Sequence, residues 1–223
     1  MIKKLTPEDF LYFEEQVIKF NELLGNDVSD KNLIPTYQGL TEEEFNELKV
    51  AVEEGNEVEE LDAIIDLIFV NFYSAILEGD PLKEWVDWLD IVCNDKDIKL
   101  LCGTDILEDN LRKPVYIFQT VLVGYIISNQ HRFDIRGAFE RVLESNLSKA
   151  IKITNDIDIQ KYVDEVISKG RYKGVDYREV NGYYVITATE DVQEGKVYKT
   201  AKIVKGSWHR SVKDLGGLEE FIL

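Results

Sequence analysis

The chain has 223 residues, of which 44% are hydrophobic and 11% aromatic. It can therefore bury a core, and it is too apolar to be an intrinsically disordered protein. Its 43 acidic and 26 basic residues give a formal net charge of −17. That charge repels phosphate backbones and argues against a nucleic-acid-binding protein that works by counterion release. A polyanionic substrate would need a cation between itself and the protein.

The sequence offers no export or membrane signal. Its first residues are basic, but a proline and two acids at residues 7–9 stand where a signal peptide needs an apolar run. Residues 61–77 are apolar but contain two aspartates, and residues 115–127 are too short to span a bilayer. Cys93 and Cys102 are the only cysteines, which supports neither a disulfide framework nor a zinc site. We expect no membrane partner and a location in the cytoplasm.

Helical spacing dominates the first half of the chain. Apolar residues recur at helical intervals over Asp9–Leu24, and the turn-rich stretch Gly25–Gly39 is expected to be a loop. Thr41 followed by Glu44 has the pattern of a capping box, which predicts that the second helix begins there and continues to Gly55.

A third helix is expected to begin after Asn56, which can cap it, and to end near Leu77 before a Gly-Asp-Pro turn. Residues 82–113 contain only short helical fragments. The remaining predicted helical segments are Trp85–Ile91, Ile98–Leu101, Pro114–Ser128, Ile135–Ala150 and Ile159–Ser168.

The last part of the chain changes character. Tyr183–Thr187 and Lys196–Val204 alternate like strands, and Asn181-Gly182 is typical of a hairpin turn. We therefore predict a mainly α protein. Residues 1–155 would form a helical bundle with a helical insertion at 79–122, and residues 156–223 a C-terminal helix with a small β-containing extension.

Acidic residues recur at helical spacing on the second and third predicted helices. Glu44 and Glu47 are three residues apart on one, and Glu59, Asp62 and Asp66 share a face of the other. The two aspartates lie among apolar residues, and a carboxylate buried without a partner costs several kcal/mol, on the order of 3–5. Clustered carboxylate oxygens favour magnesium or manganese over zinc.

A solvated acidic surface is the alternative reading of these helices. Between residues 42 and 66 there are eleven acids and one basic residue, and most acidic runs on helices simply face water. We assign that role to four of the acids. They are Glu53, Glu54, Glu57 and Glu60.

The pair Glu44-x-x-Glu47 followed by Glu59-x-x-Asp62 resembles the ExxE…ExxD signature of the all-α NTP pyrophosphatases, which include MazG, dimeric dUTPases and phosphoribosyl-ATP pyrophosphohydrolases. Two further blocks agree in order. Residues 16–25 resemble the first helix of phage and bacterial MazG-like proteins, and residues 138–149 are similar to the helix that carries the family's Asn-x-x-Lys substrate contacts.

The resemblance implies a role for each matching residue. Glu43 or Glu44 takes the proton of the attacking water. The implied ligands of Mg²⁺, with Mn²⁺ as its substitute, are Glu44, Glu47, Glu59, Asp62 and Asp66. The implied substrate contacts are Gln16, Asn21, Asn146 and Lys149.

The implied reaction is hydrolysis of a (deoxy)nucleoside triphosphate to its monophosphate and pyrophosphate, with a purine deoxynucleotide as the expected substrate. The alternatives within the family are dUTP and phosphoribosyl-ATP. The family also implies a homodimer or homotetramer in the cytoplasm, the host's cytoplasm if the protein is viral. A different class of protein remains an alternative, a non-enzymatic acidic decoy whose negative charge binds the nucleic-acid site of a basic partner.

Overall fold

The computed structural model describes residues 4–94, 103–193, 195–199 and 203–223. Within them the chain is mainly helical, which confirms the predicted fold class. The eight α-helices of this part of the chain are α1 (Pro7–Leu23), α2 (Ile34–Glu54), α3 (Glu57–Glu78), α4 (Val86–Asn94), α5 (Thr104–Asn110), α6 (Val115–Asn129), α7 (Ile135–Leu147) and α8 (Ile159–Ser168). Short 3₁₀ turns occur at Lys31–Leu33, Leu82–Glu84 and Glu219–Phe221.

Six short strands form two antiparallel sheets near the C-terminus. They are β1 (Ile151–Lys152), β2 (Tyr172–Lys173), β3 (Asp176–Val180), β4 (Tyr183–Thr187), β5 (Glu190–Gln193) and β6 (Lys196–Lys199). One sheet has the order β1-β4-β3 and the other β2-β5-β6. The hairpin between β3 and β4 turns at Asn181 and Gly182, whose φ values of 49° and 82° are those a two-residue hairpin turn requires.

The chain divides into two compact units. The first takes in the described parts of residues 1–19, 27–142 and 217–223, and the second takes in those of residues 20–26 and 143–216. The division expected at residue 155 does not coincide with this one. Strand β1, at residues 151 and 152, pairs with β4 and so belongs with the C-terminal sheet.

Each unit has its own apolar core. In the first unit Phe69 stacks on Phe139 with ring centroids 5.0 Å apart, and Phe13 lies 4.4 Å from Phe139 on another side. In the second unit the buried face of α8 packs against β1, β4 and the segment around Val204. No helix among the described residues is long and apolar enough to cross a membrane.

Helices α2 and α3 pack along each other and form the scaffold of the acidic residues. Gly55 ends α2 in the left-handed conformation, with φ of 67°, and its N–H donates to the carbonyls of Ala51 and Val52. The Asn56 side chain then accepts from the Glu59 N–H at 3.4 Å and caps α3, as predicted. Because only two residues join the helices, α2 and α3 run antiparallel as a helical hairpin.

The predicted beginning of α2 at Thr41 was wrong. The helix begins at Ile34 with Pro35 in its first turn, where the missing N–H of proline costs nothing. Thr41 lies inside the helix, and its hydroxyl donates to the Tyr37 carbonyl at 2.9 Å. The expected loop Gly25–Gly39 is therefore a loop only in its first part.

Other predicted elements differ in extent. The last predicted strand, Lys196–Val204, is a strand only at Lys196–Lys199 in the described residues, and Ile203 makes one bridge to Thr187. The fragment predicted at Ile98–Leu101 and Cys102 lie outside the described residues.

Candidate active site

Glu44 lies among carboxylates at the middle of the α2–α3 hairpin. Burial of the side chain and the negative charges of Asp66, Glu47, Glu43 and Asp62, in that order of size, raise the pKa of Glu44 from its ordinary 4.5 to about 8. The predicted motif residues of the two helices therefore lie close enough to repel one another. Because α2 and α3 run antiparallel, Glu44 lies opposite Asp66 along the helix axes, and Glu47 lies opposite Asp62.

An acidic depression continues from this cluster toward the turn of the hairpin. It has a volume of about 520 Å³ and opens to solvent. Glu43, Glu47 and Glu54 reach it from α2, and Glu59 reaches it from α3. Neither Glu44 nor Glu47 forms a salt bridge with any of the described residues. When these two side chains are ionised, no salt bridge within the described part of the chain offsets their charge.

The carboxylates are not arranged as ligands around one point. No group of three His, Cys, Asp or Glu side chains among the described residues is positioned to hold a metal ion. The chemistry of the donors nevertheless fits a hard divalent cation, because they are carboxylate oxygens and one of them has a strongly raised pKa. Asp62 and Asp66 are half-buried, which agrees with their apolar neighbours on α3.

The assignment of Glu60 to a solvated surface was wrong. Its side chain is only 3% exposed, and both of its carboxylate oxygens accept from the Arg132 guanidinium, at 2.7 and 2.8 Å. The Tyr125 hydroxyl is 3.3 Å from the same carboxylate. Glu60 therefore joins α3 to the end of α6 and has a structural role. Its partner Arg132 lies far away in sequence, so spacing alone could not reveal the pair.

Of the predicted substrate contacts, Gln16 belongs to the first unit and is half-buried on α1. Asn21 belongs to the second unit, where it is buried and its side-chain oxygen accepts from the Asn26 amide at 2.9 Å. That contact stabilises the turn at the end of α1.

Asn146 and Lys149 also belong to the second unit, at the C-terminal end of α7. The Lys149 ammonium lies 5.6 Å from the centre of the Phe20 ring, and its carbonyl accepts from the Trp208 indole N–H at 3.2 Å. His209 follows Trp208 in the chain. A hydrogen bond joins its Nδ1 to the Ser148 hydroxyl at 2.9 Å. Burial and the charges of Lys205 and Lys149 lower the pKa of His209.

Glu54 lines the site although neither sequence motif includes it. It lines the acidic depression with Glu47, seven residues earlier on α2. Seven residues make two helical turns, so this spacing was a usable signal. Glu54 was instead assigned to a solvated surface, together with Glu53 and Glu57, because it lies outside both motifs.

Residues 19–90 match the family model of phosphoribosyl-ATP pyrophosphohydrolase. The match includes α2 and α3, and so all the acids of the two motifs. This segment is a MazG-like domain of the all-α NTP pyrophosphatase superfamily, which confirms the resemblance drawn from the motifs.

Members of the matched family are pyrophosphohydrolases, enzymes that act on acid anhydrides, and the predicted enzyme class is confirmed. Neither a curated protein nor a solved structure matches the chain.

Proposed function

We propose that the chain hydrolyses a (deoxy)nucleoside triphosphate to the monophosphate and pyrophosphate with the help of Mg²⁺, for which Mn²⁺ can substitute. The observation that carries this proposal is the raised pKa of Glu44 among four other carboxylates, in the segment that matches a pyrophosphohydrolase family. Repulsion that raises the pKa of the half-buried Glu44 this far destabilises the metal-free site, and a bound divalent cation would relieve it.

Each group in the proposed site has a separate task. Bound Mg²⁺ would neutralise the phosphate oxygens and position the triphosphate for in-line attack. Glu44, Glu47, Glu59 and Asp62 are its proposed ligands, with Asp66 beside them. Glu43 or Glu44 would accept the proton of the attacking water, a role that rests on the resemblance of the two motifs to those of the family.

The substrate contacts are carried over from the resemblance alone. Asn146 and Lys149 would steady a phosphate or the sugar, and Gln16 and Asn21 would face the base. The same resemblance supports a homodimer or homotetramer in the cytoplasm, the host's if the protein is viral. Size-exclusion chromatography with light scattering measures the oligomeric state directly.

The substrate we favour is a purine deoxynucleoside triphosphate. Phosphoribosyl-ATP is the second candidate, because the family matched by residues 19–90 is described by hydrolysis of that compound. Both reactions release pyrophosphate from a triphosphate. They differ in the monophosphate that remains, so one assay of pyrophosphate release can include both substrates.

The test is a screen of the common NTPs, dNTPs and phosphoribosyl-ATP in the presence of Mg²⁺, with separate detection of pyrophosphate and orthophosphate. We expect pyrophosphate and a monophosphate. Release of orthophosphate with a diphosphate would contradict the proposal. An acidic decoy would give no turnover, would ignore Mg²⁺, and would lose its partner as salt rises.

Three variants locate the activity within the acidic run. Glu47→Gln and Asp62→Asn keep the side-chain shape while they remove a charge that a hard cation needs, so each should lose most of the turnover. Glu53→Gln is the matched control, because Glu53 is exposed on the same helix and lies outside both motifs. Equal activity in all three variants would show that the proposed ligands are wrong.

A further inference from the structure

A second pocket lies within the first unit, between the beginning of α2, the end of α3 and the residues that lead into α6. Its volume is about 400 Å³, which falls in the range of about 300–1,000 Å³ found for small-molecule sites. None of the residues that line the acidic depression lines this pocket. Glu42, which lines it, is the direct neighbour of Glu43, and successive helical residues point about 100° apart.

Two buried polar side chains of α3 line this pocket. Asn71 and Ser74 are one turn apart and each is only 1% exposed. The Asn71 side-chain oxygen and the Ser74 hydroxyl have no hydrogen-bond partner among the described residues. An unpaired buried polar group costs about 1–3 kcal/mol, and native proteins contain few of them. Two such groups beside one pocket therefore point to a ligand that completes their hydrogen bonds.

The rest of the pocket carries charges of both signs. Glu42 and Glu78 contribute carboxylates from α2 and α3, and Glu78 accepts from the Gln38 amide at 3.0 Å. Arg112 and Lys113 are exposed just before α6, with an Arg112 nitrogen 3.6 Å from the Glu42 carboxylate. Water screens the attraction between Arg112 and Glu42, because both side chains are exposed. Arg112 therefore loses little interaction energy when it leaves Glu42 for another partner.

These groups match the three parts of a nucleotide. An asparagine amide pairs with the N6 and N7 edge of adenine through two hydrogen bonds, and a serine hydroxyl can donate or accept beside it. Carboxylates accept hydrogen bonds from ribose hydroxyls. Arginine and lysine bind phosphate oxygens. We infer that the pocket is a second ligand site, separate from the acidic site, which takes an adenine nucleoside or its 5′-monophosphate.

The inference does not depend on the proposed reaction, and its test uses binding alone. Isothermal titration of the full chain with adenosine and with AMP, in EDTA, excludes any cation-dependent binding at the acidic site. Both probes should bind the parent and Glu47→Gln alike. Asn71→Leu should weaken both by about tenfold or more, as for loss of a bidentate base contact. Arg112→Met should weaken AMP and leave adenosine unchanged.

Thermal melts of the same variants separate lost binding from lost folding. Leucine has nearly the shape of asparagine and leaves no polar atom unpaired, so Asn71→Leu should melt no lower than the parent. Ser74→Ala provides a second, smaller change in the same place and should weaken adenosine as well. Uridine, which lacks the adjacent N6 and N7 groups, should bind more weakly than adenosine.

Three results would overturn the inference. The first is no binding of either probe to the parent at millimolar concentration. The second is binding that Glu47→Gln abolishes, because it would then belong to the acidic site. The third is binding that neither Asn71→Leu nor Ser74→Ala changes.

Discussion

The raised pKa of Glu44 makes the stability of the metal-free protein depend on pH in a defined direction. The folded state holds this proton up to about pH 8, whereas the unfolded chain releases it near 4.5. Between these values the folded state binds more protons than the unfolded state, so stability falls as pH rises. The loss should be complete once pH passes the folded-state pKa. Glu44→Gln, which is neutral at every pH, removes this component.

The expected stability difference between Glu44→Gln and the parent follows from the part of the Glu44 pKa shift that lies below pH 7. One pKa unit corresponds to about 1.4 kcal/mol, which sets an upper limit of about 3 kcal/mol at pH 7. Glu44 is only half-buried, and solvent screens the repulsion. We therefore expect Glu44→Gln to be more stable than the parent by about 1–2 kcal/mol at pH 7 and no different near pH 4.5.

Urea denaturation in EDTA at several values between pH 5 and pH 9 measures this difference. The gap between Glu44→Gln and the parent should open as pH rises and stay constant above about pH 8. Glu53→Gln is the control and should follow the parent throughout, since Glu53 is exposed. A gap that is constant with pH, or one of opposite sign, would refute the reasoning that the carboxylates of α2 and α3 repel one another.

Three further predictions concern other parts of the chain. Millimolar Mg²⁺ or Mn²⁺ should raise the melting temperature of the parent, and a melt that ignores both ions would count against the cation site. Lys149→Met should raise the KM for the nucleotide about tenfold, the value of one charge-assisted phosphate contact, while the exposed Lys152→Met should not. Arg132→Met leaves buried Glu60 without its charged partner and should lower stability by about 3 kcal/mol. Glu60→Gln added to Arg132→Met should recover part of that loss if the buried charge is its cause.

Local patterns allowed a large part of the fold to be predicted. The helix at Ile159–Ser168 and the strand at Tyr183–Thr187 have the predicted bounds, because apolar spacing and flanking turn residues mark them clearly. The beginning of α2 was missed for a physical reason. Ile34-Pro35 was read as part of a turn, although proline is as well suited to the first turn of a helix.

Groups that depend on distant partners were harder to predict. The acids of α2 and α3 lie within a short segment, so spacing grouped those of each helix on one face, and the resemblance to a known family placed Glu44 and Asp66 in one site. Glu60 lies in the same acidic stretch of sequence as the motif acids. Its role, however, depends on Arg132, which is 72 residues away. The pocket beside Asn71 likewise needs residues from α2, α3 and the segment before α6. No local pattern predicts either feature.

The two-residue connection at Gly55-Asn56 also bears on the order in which the protein folds. Closing so short a loop costs little chain entropy, and contacts between neighbours in sequence form early. The helices α2 and α3 can therefore pair once the chain up to residue 78 has left the ribosome. Their carboxylates meet at that stage, before the C-terminal sheets exist. Because these carboxylates repel one another, we expect ionic conditions to act on this early pairing as well as on the stability of the finished protein.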